Sequence, residues 1–159
     1  MGKAKKSSGN DNTIALNKKA RHDYTINETI EAGVSLEGWE VKSLRDKRVN
    51  LTDAYVMLQG QEVFLIGALI TPLLSASTHV SPTPMRARKL LLHRRELDKL
   101  HDAVKTQGLT IVPLVVYLKS RRIKLLIGLA RGKKVHDKRA AIKERDQKRE
   151  MQRALREHR

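Results

Sequence analysis

The stretch YVMLQGQEVFLIGALI, Tyr55–Ile70, decides the reading of the fold. Two apolar runs, Tyr55–Leu58 and Val63–Ile70, flank a polar turn that contains Gly60, which is the pattern of a β-hairpin. A second pair follows downstream, LTIVPLVVYL (Leu109–Leu118) and RRIKLLIGLA (Arg121–Ala130), joined by the polar turn Lys119–Arg121. Pro113 has no N–H to give to a ladder, so it predicts a sheet edge or a bulge. Upstream, DYTINETIE (Asp23–Glu31) alternates roughly and is rich in β-branched residues, which predicts a further strand. Gly33 and Gly38 bracket a bend, and GWEVKSLRDK reads as a short helix or irregular turn. Between the hairpins, Thr83 before Pro84 suits a helix N-cap with proline in the first turn. Leu90, Leu97, Leu100 and Val104 then form one apolar stripe, which Gly108 ends. Short antiparallel strands with one interposed helix predict a mainly β chain: an OB-like antiparallel β-barrel, closed or partly open, with inserted helices.

Charge narrows the partner. Thirty-three Lys and Arg stand against 17 Asp and Glu, a formal charge of +16. Such an excess favours a polyanion, nucleic acid first and a membrane surface second. No apolar run approaches the roughly 20 residues that span a bilayer, and MGKAKKSSGNDN lacks a signal peptide's hydrophobic stretch, so a cytosolic chain with no membrane role is expected. The absence of cysteine excludes disulfides, thiol catalysis and Cys-ligated zinc. With one Trp, one Phe and three Tyr, the chain cannot offer a broad stacking platform. Trp39 and Phe64 are assigned to the core, and recognition is expected to lean on charge and shape.

Three parts are expected: residues 1–12 as a disordered basic arm, 13–132 as the barrel, and 133–159 as a basic tail. The tail is rich in helix formers but has few large apolar side chains, chiefly Ile142, Met151 and Leu155. Arg145, Arg149 and Arg153 recur every four residues, so a helix would stack like charges on one face. Such a row repels itself in isolation and is neutralised along phosphates, which predicts a tail disordered when free and helical when bound.

Catalytic readings are thin. A carboxylate can orient an imidazole for proton transfer, so His136-Asp137 is one candidate acid–base pair, and His22, next to Asp23, is a second candidate if the fold brings it to Glu31. No nucleophile or third member lies near His136 in sequence, and a solvated pair is the simpler reading for both. His136 amid lysines can instead stack on an exposed base. Glu31 and Glu40 could act as paired carboxylates only if the fold joined them. No phosphate-binding glycine loop and no helical His pair for zinc occurs.

Four segments, in order and spacing, carry a resemblance: IALNKKARHDY (14–24), EAGVSLEGWEVKSLRDKRVNLTDAYV (31–56), RARKLLLHRRELDKL (86–100) and GLARGKKVHDKR (128–139). Together, from about Thr13 onward, they resemble the SmpB family, which binds bacterial transfer-messenger RNA (tmRNA). The resemblance implies an OB-like, non-enzymatic adaptor without cofactor, and a scattered basic surface with no long apolar patch favours a monomer. Such an adaptor binds the tRNA-like domain of tmRNA and brings it to the A site of stalled ribosomes for trans-translation. Small-subunit rRNA is an implied partner, and elongation factor Tu with GTP an indirect one through aminoacylated tmRNA. The tmRNA-binding set implied at matching positions is Asn17, His22, Glu31, Arg45, Leu91 and Lys124. Physically, Lys124 can pair with phosphate, Asn17 can read a sugar or base edge, and Glu31 can accept from a base amine or ribose hydroxyl. Leu91, next to the core residue Leu90, fits either an apolar contact with an unstacked base or burial. In the tail, Lys133, Lys134, His136, Asp137, Lys138 and Arg139 would lie at the decoding centre. Arg145, Arg149 and Arg153 would follow in a helix within the empty mRNA channel. Where some family members have two large apolar residues near the tail's end, this chain has Ala154 and Leu155. Competing readings are a general rRNA-associated protein and a small RNA-processing enzyme.

Overall fold

The computed structural model describes residues 12–73, 82–133 and 145–153. Most of the basic arm, the residues Lys134 to Arg139, and Ala154 with Leu155 lie outside them.

The long hairpin is the spine. Strand β8 (Thr110–Lys119) pairs with β9 (Arg122–Gly132), which pairs along its length with β2 (Tyr24–Val34). Around it stand β1 (Thr13–Leu16), β4 (Tyr55–Gln59), β5 (Glu62–Ile66) and β7 (Arg88–Leu91), in the sheet order β1-β8-β9-β2-β7-β5-β4. Two further strands, β3 (Val49–Asn50) and β6 (Leu69–Ile70), form a separate two-stranded ladder. β4 also packs against β8, yet the described ladders end at β1 and β4, so the OB-like barrel is partly open. Inside lie Leu100, Leu125, Ile127 and Val63, all essentially without solvent contact. Helix α3 (Arg94–Lys105) supplies Leu100 and Ala103 to this core and is packed on it also through Leu97 and Val104. Helix α2 (Gly38–Arg45) contributes Trp39 and Leu44. The short helix α1 (Lys18–Asp23) covers a second apolar group around Ala20, Val112, Leu114 and Ala130.

Pro113 sits at a bulge: the β8–β9 register shifts between Pro113 and Val115, and β8 is internal to the sheet. The Val63–Ile70 run is split because Gly67 turns the chain with φ 77°, where an added Cβ would meet the Asp53 carbonyl oxygen at 2.9 Å. Phe64 is half-buried on β5, outside the main core.

The structure departs from the sequence reading in several places. Gly33 belongs to β2, which runs on to Val34, so no bend begins there. Residues 18–23 are helical before that strand opens. The interposed helix does not start at Thr83: residues 83–86 form a turn closed by the Arg86 N–H on the Thr83 carbonyl at 3.2 Å, and strand β7 follows. Burial there alternates, with Arg88 and Leu90 inside and Lys89 and Leu91 outside, the period of a strand. Helix α3 begins after His93, whose N–H donates to Glu96 Oε1 at 3.1 Å.

Arg88 explains the strand. Arg88 and Glu40 are both 0% exposed. Arg88 Nε donates to Glu40 Oε2, while Nη1 and Nη2 donate to the carbonyls of Ala68 and Pro84 at 2.8 and 3.0 Å. Arg86 donates to the other Glu40 oxygen. This buried cluster fastens β7 to α2. Glu40 and Glu31 therefore serve separate networks and are not a catalytic pair.

Residues 145–153 are helical, with every side chain exposed. The sequence predicts order there only on binding. A helix this short with no packed face is marginal in water, so it records the segment's preference for helix.

Candidate nucleic-acid interface

The register places four residues of four adjacent strands in one row. Tyr117 pairs with Lys124, Lys124 with Gly33, and Gly33 with Leu91. Directly opposed residues share a face of the sheet. Leu91 is 55% exposed while its neighbour Leu90 is 2% exposed, so the row faces outward. Glu31, two residues before Gly33 on β2, shares that face. Lys119 and its partner Arg122 extend it past Tyr117.

Glu31 is held as an anion in this basic setting. It accepts from the Tyr117 hydroxyl, and Lys119 Nζ stands 3.3 Å from its Oε1. The Tyr117 bond, then Lys119 and Lys124, keep its carboxyl below the usual glutamate value despite the cost of desolvation. Burial, and next the bond to Glu31, raise the Tyr117 phenol in turn. The row thus offers an oriented acceptor, several cations and one exposed leucine. An acceptor, a cation and an apolar side chain side by side can meet a nucleotide's base edge, phosphate and base plane respectively.

The second group is built on α1. Asn17 caps this helix: Oδ1 accepts from the Ala20 N–H at 3.2 Å, Nδ2 donates to the Pro113 carbonyl at 2.9 Å, and its own N–H donates to the Leu114 carbonyl at 2.8 Å. At 5% exposure, both ends of the amide are used by the protein itself. This cap sets the position of Lys18, Lys19 and Arg21, which are exposed on α1. His22 is also exposed, its Nδ1 3.0 Å from Asp23 Oδ1. The Lys133 N–H donates to the Asp23 carbonyl at 2.9 Å, and Lys133 Nζ reaches the Arg21 carbonyl at 3.4 Å.

The fold thus joins Glu31, Leu91 and Lys124 in one face and joins Asn17, His22 and Lys133 at another. Arg45 ends α2, exposed, and belongs to neither group. Lys134, His136, Asp137, Lys138 and Arg139 lie outside the described residues. Arg145, Arg149 and Arg153 lie exposed on the helical stretch 145–153. Among the described residues, no group of three or more His, Asp and Glu is placed to hold a metal, and no helix is long and apolar enough to cross a membrane.

The sequence model of the SmpB protein family matches residues 14–157. The chain belongs to the SmpB family. The match takes in the strand row, α1 and almost all of the tail. The SsrA-binding protein of Psychrobacter sp. (strain PRwf-1) is 54% identical over 155 residues, 98% of each chain. That of Xanthomonas campestris pv. campestris (strain B100) is 54% identical over 146 residues, 92% of this chain and 87% of its own. Among solved structures, a chain described under "tmRNA-SmpB: a journey to the center of the bacterial ribosome" superposes with a TM-score of 0.63 at 46% identity, covering 76% of this chain and 85% of that one.

Sequence reasoning missed Tyr117, Lys119 and Gly33. The first two were within reach, because the turn after Lys119 fixes which residues of β8 and β9 oppose each other. Gly33 was not, since its partners lie 58 and 91 positions away along the chain.

Proposed function

We propose that this chain is an RNA-binding adaptor that holds the tRNA-like part of tmRNA and delivers it to stalled ribosomes, where the trapped peptide is tagged and the ribosome released. The observation that carries this reading is the 54% identity, over 98% of both chains, to a relative named SsrA-binding protein. The solved neighbour's tmRNA–SmpB setting on the bacterial ribosome supports the same assignment. The work is done by binding, with no reaction catalysed by the chain, and takes place in the cytoplasm where ribosomes translate.

The physical reading follows the site. The row of Glu31, Lys124 and Leu91 receives the tRNA-like fold, with α1 adding phosphate contacts through Lys18, Lys19, Arg21 and His22. Arg45 adds a further cation. Residues 133–159 face the ribosome, with Lys133, Lys134, His136, Asp137, Lys138 and Arg139 near the decoding centre and Arg145, Arg149 and Arg153 along a channel that an intact message would fill. Elongation factor Tu with GTP joins through the aminoacylated end of the RNA.

Competition gel shifts test this directly. Labelled tmRNA bound to the protein is expected to resist excess rRNA fragments and ordinary tRNA. Equal displacement by all three would favour a general rRNA-associated protein instead.

A further inference from the structure

This inference rests on the RNA-binding reading above and sharpens it. In the row Lys124–Gly33–Leu91, the central position has no side chain, so a gap separates the cation from the leucine. The same residues border an open groove that also takes in Val41 and Ile123. The gap is not idle space. A Cβ built on Gly33 would lie 3.2 Å from Leu91 Cβ and 3.5 Å from Leu91 Cδ1. Leu91 therefore packs closely against the bare backbone of Gly33.

We infer that Gly33 positions Leu91 to form a seat for one unstacked nucleobase between Leu91 and Lys124. The base lies against the leucine methyls, and the ammonium of Lys124 takes the adjoining phosphate. Any side chain at 33 lifts Leu91 off β2 and fills the seat. The need is for absent volume, since Gly33 lies in a strand pairing with both neighbours, where other residues can adopt the backbone.

The test is a double-mutant cycle on affinity for a transcript of the tRNA-like domain of tmRNA. Gly33→Ala is expected to weaken binding about tenfold in the parent chain, and to do little in a Leu91→Ala background. An equal loss in both backgrounds, or no loss in the parent, overturns the inference. Should Leu91→Ala by itself leave affinity unchanged, the RNA face has been misassigned, which is a different failure. A measurement on the unmutated chain guards against variants that misfold. The Leu91 methyl NMR signals are expected to move upfield when the RNA binds, from the ring current of a stacked base. Signals that stay in place at saturation refute the seat.

Discussion

Glu40 shows what a single buried charge demands. It accepts from Arg86, from Arg88 and from the Glu37 N–H at 2.8 Å, all without exposure of its own. Replacement by glutamine keeps the shape but leaves Arg88 buried with an uncompensated charge, a change that costs about 3–5 kcal/mol in comparable pairs. Urea unfolding of Glu40→Gln is expected to show a loss of that size with an unchanged m-value. The acid response follows from the same residue. Burial raises the Glu40 carboxyl, but the bonds from Arg86, the Glu37 N–H and Arg88 outweigh it, so the folded value lies below the usual one; Glu31 is lowered likewise. Groups depressed on folding stabilise the native state above the unfolded glutamate range and lose that contribution as pH falls through the folded value. The thermal midpoint should thus hold from neutrality down to about pH 5 and fall in stronger acid, below about pH 4.3. Glu40→Gln should fall less steeply over that range. A parent midpoint flat down to about pH 3 would contradict the assignment. None of this was legible in the sequence, where Glu40 and Arg88 are 48 positions apart.

At the scale of elements, local patterning revealed what local forces decide. The two hairpins follow from alternation and turn residues, and α2 is the helical one of the two readings open for GWEVKSLRDK. The misread segments are those whose partners are distant. Thr83-Pro84 looks like a helix start, but Arg88 must reach Glu40 and the Ala68 carbonyl, and that need makes RKLL a strand. Helix α1 has only Ala20 to bury, and its capping residue is anchored to Pro113, 96 positions on. One turn is out of step with its residues. Ser120 and Arg121 join β8 to β9 with φ of 49° and 63°, the left-handed pair that a two-residue hairpin requires. Residues with a Cβ resist that region by roughly 1–2 kcal/mol each, and Asn-Gly is the preferred occupant. Ser120→Asn with Arg121→Gly is expected to stabilise the chain by about 1 kcal/mol, read as a higher urea midpoint. A lower midpoint would mean that the turn side chains make interactions the φ angles do not reveal.

Over the whole molecule, basic residues stand both on the folded sheet and on the helical stretch 145–153. The formal charge of +16 signals a polyanion, but charge alone cannot divide the labour. The geometry can. Glu31, Lys124 and Leu91 belong to the sheet, whereas Arg145, Arg149 and Arg153 stand exposed on the helical stretch 145–153. If the sheet holds the RNA cargo and the tail works on the ribosome, the two functions separate under mutation. Reversing the charge of Arg145, Arg149 and Arg153 together is expected to leave tmRNA affinity within about twofold, because the affinity-setting residues are elsewhere, while abolishing peptide tagging on stalled ribosomes. Lys124→Gln is expected to do the reverse. It weakens tmRNA binding and makes it less sensitive to salt, the slope of log K on log salt changing by about 0.7–0.9 when one phosphate is no longer neutralised. Tagging by that variant should recover at high protein concentration, since its defect is in loading alone. A tail variant that loses tmRNA binding as severely as tagging would place both functions on one surface and remove the reason for an extension outside the folded body.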